Sequence, residues 1–372
     1  MVSSSSDPAR MPRVLVVDDS AFMRRVVRDL VDASGEFTVA GTARDGEDAI
    51  RQVHALDPDI VTLDIAMPGL DGLHVLGYIM SEAPRAVIML SAGGDDGGAE
   101  STLRALELGA VDFVRKPSGP ISLDLARVGD RLLDALRAAA VMRVERVHMI
   151  DRPRSSAHRE PRRPGAAATR AVLIAASTGG PAALTEVIPN LRRGLGAAVL
   201  VVQHMPRGFT ASLAQRLEQA SDLTVTEARD GELLVADTVY IAPGGVHMRV
   251  IATVDGPRVS LEHGPTIWGV RPAADPLFAS AVQVFGNQLV AAVLTGMGRD
   301  GAEGSRLVRN AGGWAIVQDP ANAVIPGMPN ATLKHAGADH TVPIAEISEA
   351  VHRAVAAMPN ATPGATSNGN VA

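Results

Sequence analysis

The sequence predicts two α/β domains in one chain, each with a parallel sheet between layers of helices. The chain has 372 residues, which suits two or three domains of ~100–200 residues each. Short runs of Val, Ile, Leu and Ala alternate with helical patterns, as in parallel sheets. Aromatic residues make up only 3% of the chain, so the cores must consist of aliphatic side chains, which is typical of strands buried on both faces.

The N-terminal region predicts a (βα)5 domain over residues 12–130. Five short apolar runs are separated by amphipathic segments, and this order favours a doubly wound parallel sheet. The expected strands are 13–17, 37–41, 59–63, 86–90 and 111–115, and the expected helices are 20–33, 46–56, 72–82, 99–108 and 123–140.

A change in composition separates this region from the rest of the chain. Residues 137–168 are rich in arginine and proline and poor in acidic residues, which predicts a basic, partly extended linker. Two interpretations remain open, a solvated tether or a docking strip for an acidic partner. The small and polar tail, residues 359–372, is expected to be disordered.

A second doubly wound α/β domain is predicted over residues 169–357. Asp255-Gly256 lies between two apolar runs and predicts a hairpin of 246–252 with 258–263. The other expected strands are 171–177, 197–203, 223–228, 238–242, 288–295 and 314–318, and the expected helices are 181–190, 210–220, 275–285 and 303–311.

Composition excludes several classes of protein. The chain has no cysteine, so disulfides, thiol nucleophiles and cysteine-based zinc sites are excluded. The first residues lack the apolar segment of a secretory signal, and no apolar run approaches the ~20 residues of a membrane span. A net charge of −6 argues against nucleic acid as the main partner. We therefore expect a cytoplasmic protein without membrane insertion.

Acidic residues follow two strands of the predicted N-terminal sheet. Asp18 and Asp19 come after the first strand, and Asp64 ends the third. The carboxyl ends of parallel strands meet at one edge, and carboxylate oxygens are ligands that Mg²⁺ prefers. Ser91 and Lys116 fall at the same edge and can bind anionic oxygens. This set predicts transfer of a phosphoryl group onto the Asp64 carboxylate.

Residues 12–122 resemble a response-regulator receiver domain in VLVVDDS, in LDIAMPGLDG and in RKP. The resemblance implies that a histidine kinase phosphorylates Asp64. It also implies that Phe113 is an aromatic switch residue that reorients with Ser91. Ala66 stands where many receivers have a polar side chain, and this difference bears on the lifetime of the phosphoryl group.

A serine, a histidine and an aspartate follow three strands of the predicted C-terminal sheet. Ser177 precedes Gly179-Gly180-Pro181, where a turn into a helix offers backbone N–H groups to an oxyanion. His204 follows the next strand, and Asp300 follows a later one. Together they could form a Ser-His-Asp triad. His247 also follows a strand and a glycine-rich loop, so it remains a rival base.

Residues ~169–357 look like the catalytic domain of the chemotaxis protein-glutamate methylesterases. The matching segments are AASTGGP, VVQHMP, APGGVHM and LTGMGRDGA. The resemblance implies the triad Ser177, His204 and Asp300, with Met297 and the backbone near Thr178 as oxyanion candidates. Ala175 stands where glycine is common in the family, a change that we expect to be mild.

The implied substrates are methyl-esterified glutamates of methyl-accepting chemotaxis receptors, together with certain receptor glutamines. The implied cofactor is Mg²⁺ for phosphorylation of the receiver, with none for the esterase step. We expect the unphosphorylated receiver to restrain the esterase. The alternative is a response regulator with a non-catalytic or DNA-binding output domain, although no helix-turn-helix pattern is present.

Overall fold

The computed structural model describes residues 10–91, 98–116, 122–141 and 166–359, and of residues 122–127 it describes the backbone alone. These residues form two α/β units, which agrees with the predicted fold class. Residues 142–165 of the predicted linker and residues 360–372 of the predicted tail lie outside the described residues. The boundaries assigned to the linker and the tail therefore stay predictions.

The N-terminal unit is a five-stranded parallel sheet with strand order β2-β1-β3-β4-β5. Each predicted strand and helix is present, with ends that differ by no more than a few residues. The strands are β1 (Arg13–Val17), β2 (Thr38–Ala43), β3 (Ile60–Asp64), β4 (Ala86–Ser91) and β5 (Asp112–Arg115). The helices are α1 (Ala21–Ser34), α2 (Gly46–Leu56), α3 (Gly72–Glu82), α4 (Gly98–Glu107) and α5 (Ser122–Val141).

Side-chain caps define where the first three helices begin. Ser20, Asp45 and Asp71 each accept a hydrogen bond from the backbone N–H three residues further on, which satisfies a free amide at the helix start. The Ser20 cap follows the acidic pair at the end of β1 directly. The chain therefore turns into α1 at once, and the acidic pair stays at the edge of the sheet.

The C-terminal unit is a seven-stranded parallel sheet of order β14-β13-β12-β6-β7-β9-β8, with a separate two-stranded hairpin. Its sheet strands are β6 (Ala171–Ala176), β7 (Ala198–Gln203), β8 (Thr224–Glu227), β9 (Thr238–Ile241), β12 (Leu289–Val293), β13 (Trp314–Gln318) and β14 (His340–Val342). The hairpin is β10 (His247–Thr253) with β11 (Gly256–Glu262). The helices are α6 (Gly180–Val187), α7 (Phe209–Ala220), α8 (Ala274–Phe285), α9 (Ala302–Asn310), α10 (Gly327–His335) and α11 (Ile344–Ala357).

Three elements near the end of the chain were not predicted, namely α10, β14 and α11. Helix α10 contains Pro329 and has little amphipathic pattern, and β14 has three residues. Helix α11 does show a helical spacing of buried residues, at Ile347, Val351 and Ala354. The hairpin is confirmed, but its turn is Val254-Asp255, because Gly256 begins β11 with a positive φ of 126°.

Apolar side chains fill both faces of each sheet. One cluster lies between the N-terminal sheet and helices α1 and α5, and another lies under α8 and the hairpin. A third and larger cluster includes residues of both units, among them Leu103 and Leu106 of α4 and Leu213 of α7. The two units therefore pack against each other through α4. No helix among the described residues is long and apolar enough to cross a membrane.

We predict that Gly304→Ala destabilises the protein by about 1–3 kcal/mol, because overpacking of a tight core costs this much. Gly304 lies in α9, and an added Cβ would lie 2.5 Å from the Cβ of Phe278 on α8. Gly77→Ala in α3 is the matched control, since nothing lies within 4 Å of its added Cβ. It should stabilise the helix by about 1 kcal/mol. Urea unfolding of both variants measures the difference, and equal midpoints would contradict the prediction.

Candidate functional site

Three neighbouring strands bring the predicted serine, histidine and aspartate to one edge of the C-terminal sheet. Strands β12, β6 and β7 lie side by side and run parallel. Ser177 follows β6 directly, His204 follows β7 directly, and Asp300 lies in the loop after β12. The Ser177 N–H donates to the carbonyl of Thr295 at 3.0 Å, and the His204 N–H donates to the carbonyl of Ala176 at 3.1 Å. Backbone bonds therefore hold all three strand ends together.

His204 and Asp300 form a buried hydrogen-bonded pair. The Nε2 of His204 lies 2.7 Å from Oδ2 of Asp300, and their side chains are 7% and 2% exposed. Burial raises the pKa of the Asp300 carboxyl. The hydrogen bond and charge of His204 and two backbone amides outweigh burial, so that this pKa lies below its ordinary value. Asp300 is therefore an anion that can orient His204 and stabilise its protonated form.

The orientation of His204 leaves its Nδ1 for another group. In the described part of the chain, the Ser177 hydroxyl makes no hydrogen bond to this imidazole. Gln203, the residue before His204, connects the two strand ends, since its Nε2 donates to the carbonyl of Ser177 at 2.9 Å. Such catalytic hydrogen bonds are often long in a free enzyme and tighten when substrate binds.

The turn after Ser177 presents backbone N–H groups near the serine. Gly179 has a φ of 75°, and an added Cβ would lie 2.8 Å from the Cβ of Val324. Both its conformation and its surroundings therefore require glycine. Among the described residues, the N–H groups of Thr178 and Met297 have no hydrogen-bond partner. They remain the candidate donors to an oxyanion.

The rival base, His247, has both ring nitrogens occupied by backbone groups. Its Nε2 donates to the carbonyl of Pro265 at 2.9 Å, and its Nδ1 accepts from the N–H of Ala273 at 3.2 Å. The residue is 3% exposed. His247 therefore holds two loops together and has no free nitrogen for a proton, which favours His204 as the base.

Sequence reasoning missed Asp275, which lies beside Asp300. Helices α8 and α9 have no side-chain cap on their own N-cap residues. Asp300 instead accepts from the first two amides of α8, those of Ala274 at 2.6 Å and Asp275 at 3.0 Å. The Asp275 carboxylate in turn accepts from the amides of Gly301 at 3.0 Å and Gly304 at 2.8 Å, at the start of α9. Asp300 thus caps α8, the helix that contains Asp275, and Asp275 caps α9, the helix that follows Asp300.

Burial raises the pKa of Asp275, and the charge of Asp300 adds to this effect. The position of Asp275 in the first turn of a helix, after the segment RPAA, is a sequence signal for a capping acid. What it caps could not be predicted, because two separate helix starts meet there.

At the edge of the N-terminal sheet, the predicted acidic residues and lysine meet. Asp18 and Asp64 are buried, while Asp19 is exposed. The Nζ of Lys116 lies 2.7 Å from Oδ2 of Asp18 and 2.8 Å from Oδ2 of Asp64. Burial raises the pKa of Asp64; Lys116 opposes this effect, and the charge of Asp18 adds to it. One ammonium group thus neutralises part of a cluster of three carboxylates.

These carboxylates fit the divalent cation that the sequence predicts. One oxygen from each of Asp18, Asp19 and Asp64 can be chosen so that all lie within 4.8 Å of one another. Hard carboxylate oxygens at this spacing match the ligands of Mg²⁺. Ser91 is buried at the end of β4, where its hydroxyl accepts a hydrogen bond from Thr102 at 3.1 Å.

The predicted switch residue, Phe113, lies at the contact between the two units. Its ring stacks on that of Phe209 at the start of α7, with centroids 4.6 Å apart. The neighbouring Asp112 accepts a hydrogen bond from the hydroxyl of Thr178 at 2.7 Å, and this bond is buried. Asp112 also pairs with Arg131 at 2.8 Å. The receiver-like unit therefore contacts the residue that follows Ser177.

A charged contact lies at the edge of the same interface. Arg216 of α7 pairs with the Glu107 carboxylate at 2.8 Å and donates to the carbonyl of Glu100 at 3.2 Å. Both acidic residues belong to α4. One face of α4 and β5 is therefore covered by the C-terminal unit.

Comparison with known proteins identifies both units. The response regulator receiver domain matches residues 14–126, and the CheB methylesterase family matches residues 172–351. A protein-glutamate methylesterase/protein-glutamine glutaminase of Symbiobacterium thermophilum is 47% identical over 362 residues, which are 94% of this chain and 99% of that protein. One from Pyrococcus abyssi is 43% identical over 93% of this chain and 94% of its own length.

The crystal structure of the Thermotoga maritima CheB methylesterase catalytic domain is 41% identical to this chain. It covers 50% of this chain and 97% of its own, with a TM-score of 0.48. The two family matches follow the order of the two units, and the relatives align over most of the chain. This protein therefore belongs to the CheB family of response regulators, the protein-glutamate methylesterases/protein-glutamine glutaminases.

Proposed function

We propose that this protein hydrolyses methyl esters of glutamate side chains on methyl-accepting chemotaxis receptors in the cytoplasm. The same site would convert certain receptor glutamines to glutamates, and phosphorylation of Asp64 would control both reactions. The observation that supports this most is the 2.7 Å bond between His204 and Asp300, which follow the two strands that flank β6, the strand before Ser177. A non-catalytic or DNA-binding output domain would not need such a pair, and nothing among the described residues favours either alternative.

The reaction begins at the Ser177 hydroxyl. Its oxygen attacks the ester carbonyl carbon, and its proton passes to Nδ1 of His204. The proton on Nε2 stays in the hydrogen bond to Asp300, whose charge stabilises the imidazolium. The N–H groups of Thr178 and Met297 donate to the oxyanion of the tetrahedral intermediate.

Collapse of this intermediate breaks the bond to the leaving group. His204 gives its proton to the methoxide oxygen, so that methanol departs and an acyl-serine remains. With a glutamine substrate, the proton goes to nitrogen and ammonia departs. Water then attacks the acyl carbon as His204 takes a proton from it, and the return of that proton to the Ser177 oxygen releases glutamate. These reaction steps need a nucleophile, a base and donors to the oxyanion, and the residues named supply all three.

Phosphorylation uses the acidic cluster of the receiver. Asp64 is the nucleophile toward a phosphohistidine of a histidine kinase, and Asp18, Asp19 and Asp64 are the residues that would hold Mg²⁺. When bound, the cation supplies positive charge to the phosphoryl oxygens. Lys116 adds a second positive charge, and the Ser91 hydroxyl can turn toward the phosphoryl group.

The interface offers a physical basis for control. Phe113 stacks against Phe209, and Asp112 binds the hydroxyl of Thr178, whose N–H is a candidate oxyanion donor. Movement of Phe113 with Ser91 would remove part of this contact. Phosphorylation shifts the equilibrium from a closed arrangement, in which these contacts between the units are formed, to an open one in which they are lost. It builds no new catalytic group.

Replacement of the nucleophile separates the two reactions. In Ser177→Ala, hydrolysis of methylated receptor should fall by ~10⁴-fold or more, because the acyl-serine cannot form. Phosphorylation of Asp64 by a small phosphodonor should persist. Methanol release and incorporated phosphate measure the two activities. Substantial methanol release by the variant would refute the assignment of Ser177.

The same substitution at two histidines tests which one is the base. His204→Gln should lower kcat by ~10⁴-fold, because the proton acceptor is lost. His247→Gln should lower kcat by less than about tenfold, since this residue binds only backbone groups. Its main effect should be a loss of about 1–3 kcal/mol of stability, from unpaired buried groups. Methanol release and thermal unfolding of the two variants decide the matter, and the opposite ranking of kcat would make His247 the base.

Charge reversal at the interface tests restraint by the receiver. In the full-length unphosphorylated protein, Arg216→Glu should raise esterase activity by about 2- to 5-fold, because a partly exposed ion pair contributes ~0.2–1 kcal/mol. A phosphodonor should then stimulate the variant less than the wild type. The double variant with Glu107→Arg should restore part of the restraint. Unchanged basal activity in Arg216→Glu, measured by methanol release, would argue against this contact as a restraint.

A further inference from the structure

An exposed tryptophan lies at the tip of a tight turn near the site. Ile267 and Val270 exchange two backbone hydrogen bonds, of 3.1 and 3.0 Å. Between them, Trp268 and Gly269 have φ angles of 53° and 79°, which is the pattern of a type I′ turn. Asn or Gly usually occupies the first of these positions. Trp268 is 51% exposed, so a large apolar ring is kept in a strained conformation and in water. Such strain is most often retained where a residue has a function.

Two contacts fix this ring in place. The indole N–H of Trp268 donates to Oδ2 of Asp275 at 2.8 Å. The guanidinium carbon of Arg299 lies 4.3 Å from the centre of the ring, in a cation–π arrangement. Among the described residues, Arg299 forms no ion pair with a carboxylate. A positive charge is thus held in a defined position and is available to an anion.

Both members of this pair are connected to Asp300, Arg299 through the chain and Trp268 through Asp275. Arg299 directly precedes Asp300 in the chain, and Asp275 donates its backbone N–H to Oδ1 of Asp300. The carboxylates of Asp275 and Asp300 already accept hydrogen bonds from helix amides. These two carboxylates are therefore engaged by amides, and Arg299 presents an exposed positive charge beside them.

We propose that Trp268 and Arg299 form a subsite that binds an acidic stretch of the protein substrate next to the reacting side chain. Arg299 pairs with a neighbouring substrate carboxylate, and the Trp268 ring packs on the aliphatic part of the same segment. This inference rests on the proposed function, because each hydrolysed ester or glutamine leaves a glutamate carboxylate on the substrate. A substrate with more than one such position presents negative charge beside the remaining esters.

The test compares two substrates of the full-length protein, a methylated receptor fragment and a small uncharged methyl ester. Arg299→Glu should lower kcat/KM for the receptor fragment about tenfold more than for the small ester, mainly through KM, because a charge at the rim affects binding and encounter. Arg299→Lys keeps the charge and should lie between wild type and Arg299→Glu. Raising the salt concentration should shrink the difference, because salt screens exposed charges. Trp268→Leu should also raise KM for the receptor fragment more than for the small ester.

Arg192→Glu is the matched control. Arg192 is exposed and precedes β7, at the opposite edge of the sheet, so the same change of charge there should leave both substrates unaffected. An equal loss with both substrates in Arg299→Glu would overturn the subsite and make Arg299 a structural residue. An unchanged KM for the receptor fragment would overturn it as well. If the wild-type protein hydrolysed neither substrate, the proposed function itself would fail, which is a separate result.

Discussion

The geometry of the proposed triad depends on one buried carboxylate that lies near the starts of two helices. Asp300 accepts hydrogen bonds from the first amides of α8 and from the His204 ring. The hydrogen bond and charge of His204, together with the amides at the start of α8, hold the pKa of Asp300 below its ordinary value despite burial. Without these partners, burial alone would raise the pKa of this carboxyl and favour its uncharged form, which stabilises an imidazolium less well.

The same architecture places a site in each unit. Parallel strands present their carboxyl ends at one edge, where the chain leaves the sheet and side chains can converge. In the receiver, this edge collects three carboxylates and one lysine. In the catalytic unit, it collects a hydroxyl, an imidazole and a carboxylate from three neighbouring strands. The chemistry of the two sites differs because different residues follow the strands. In both units, however, parallel strands bring those residues together at one edge of the sheet.

This shared geometry explains what could be predicted from the sequence. The fold class and nearly all strands followed from alternation of apolar and helical segments, and His204 and Asp300 are in contact because each follows a strand next to β6. The choice between His204 and His247 could not be made from spacing. It depends on which backbone groups face each ring, and these belong to loops distant in the chain. Asp275 was missed for the same reason, since its role arises only where two helix starts meet.

Both apolar and polar contacts join the two units. The contacts between described residues include an aromatic stack, a buried hydrogen bond from Thr178 to Asp112, and the bonds of Arg216 to the Glu107 carboxylate and the Glu100 carbonyl. They join α4 and β5 to α7 and the turn after Ser177. A ligand can shift an equilibrium only by its differential free energy for the two states. For the proposed control, the phosphoryl group would therefore have to favour an arrangement in which part of these contacts is lost. Phe113 belongs to both the receiver core and this interface. A rearrangement of its ring would therefore directly change the contact with Phe209, next to the hydrogen bond between Asp112 and Thr178.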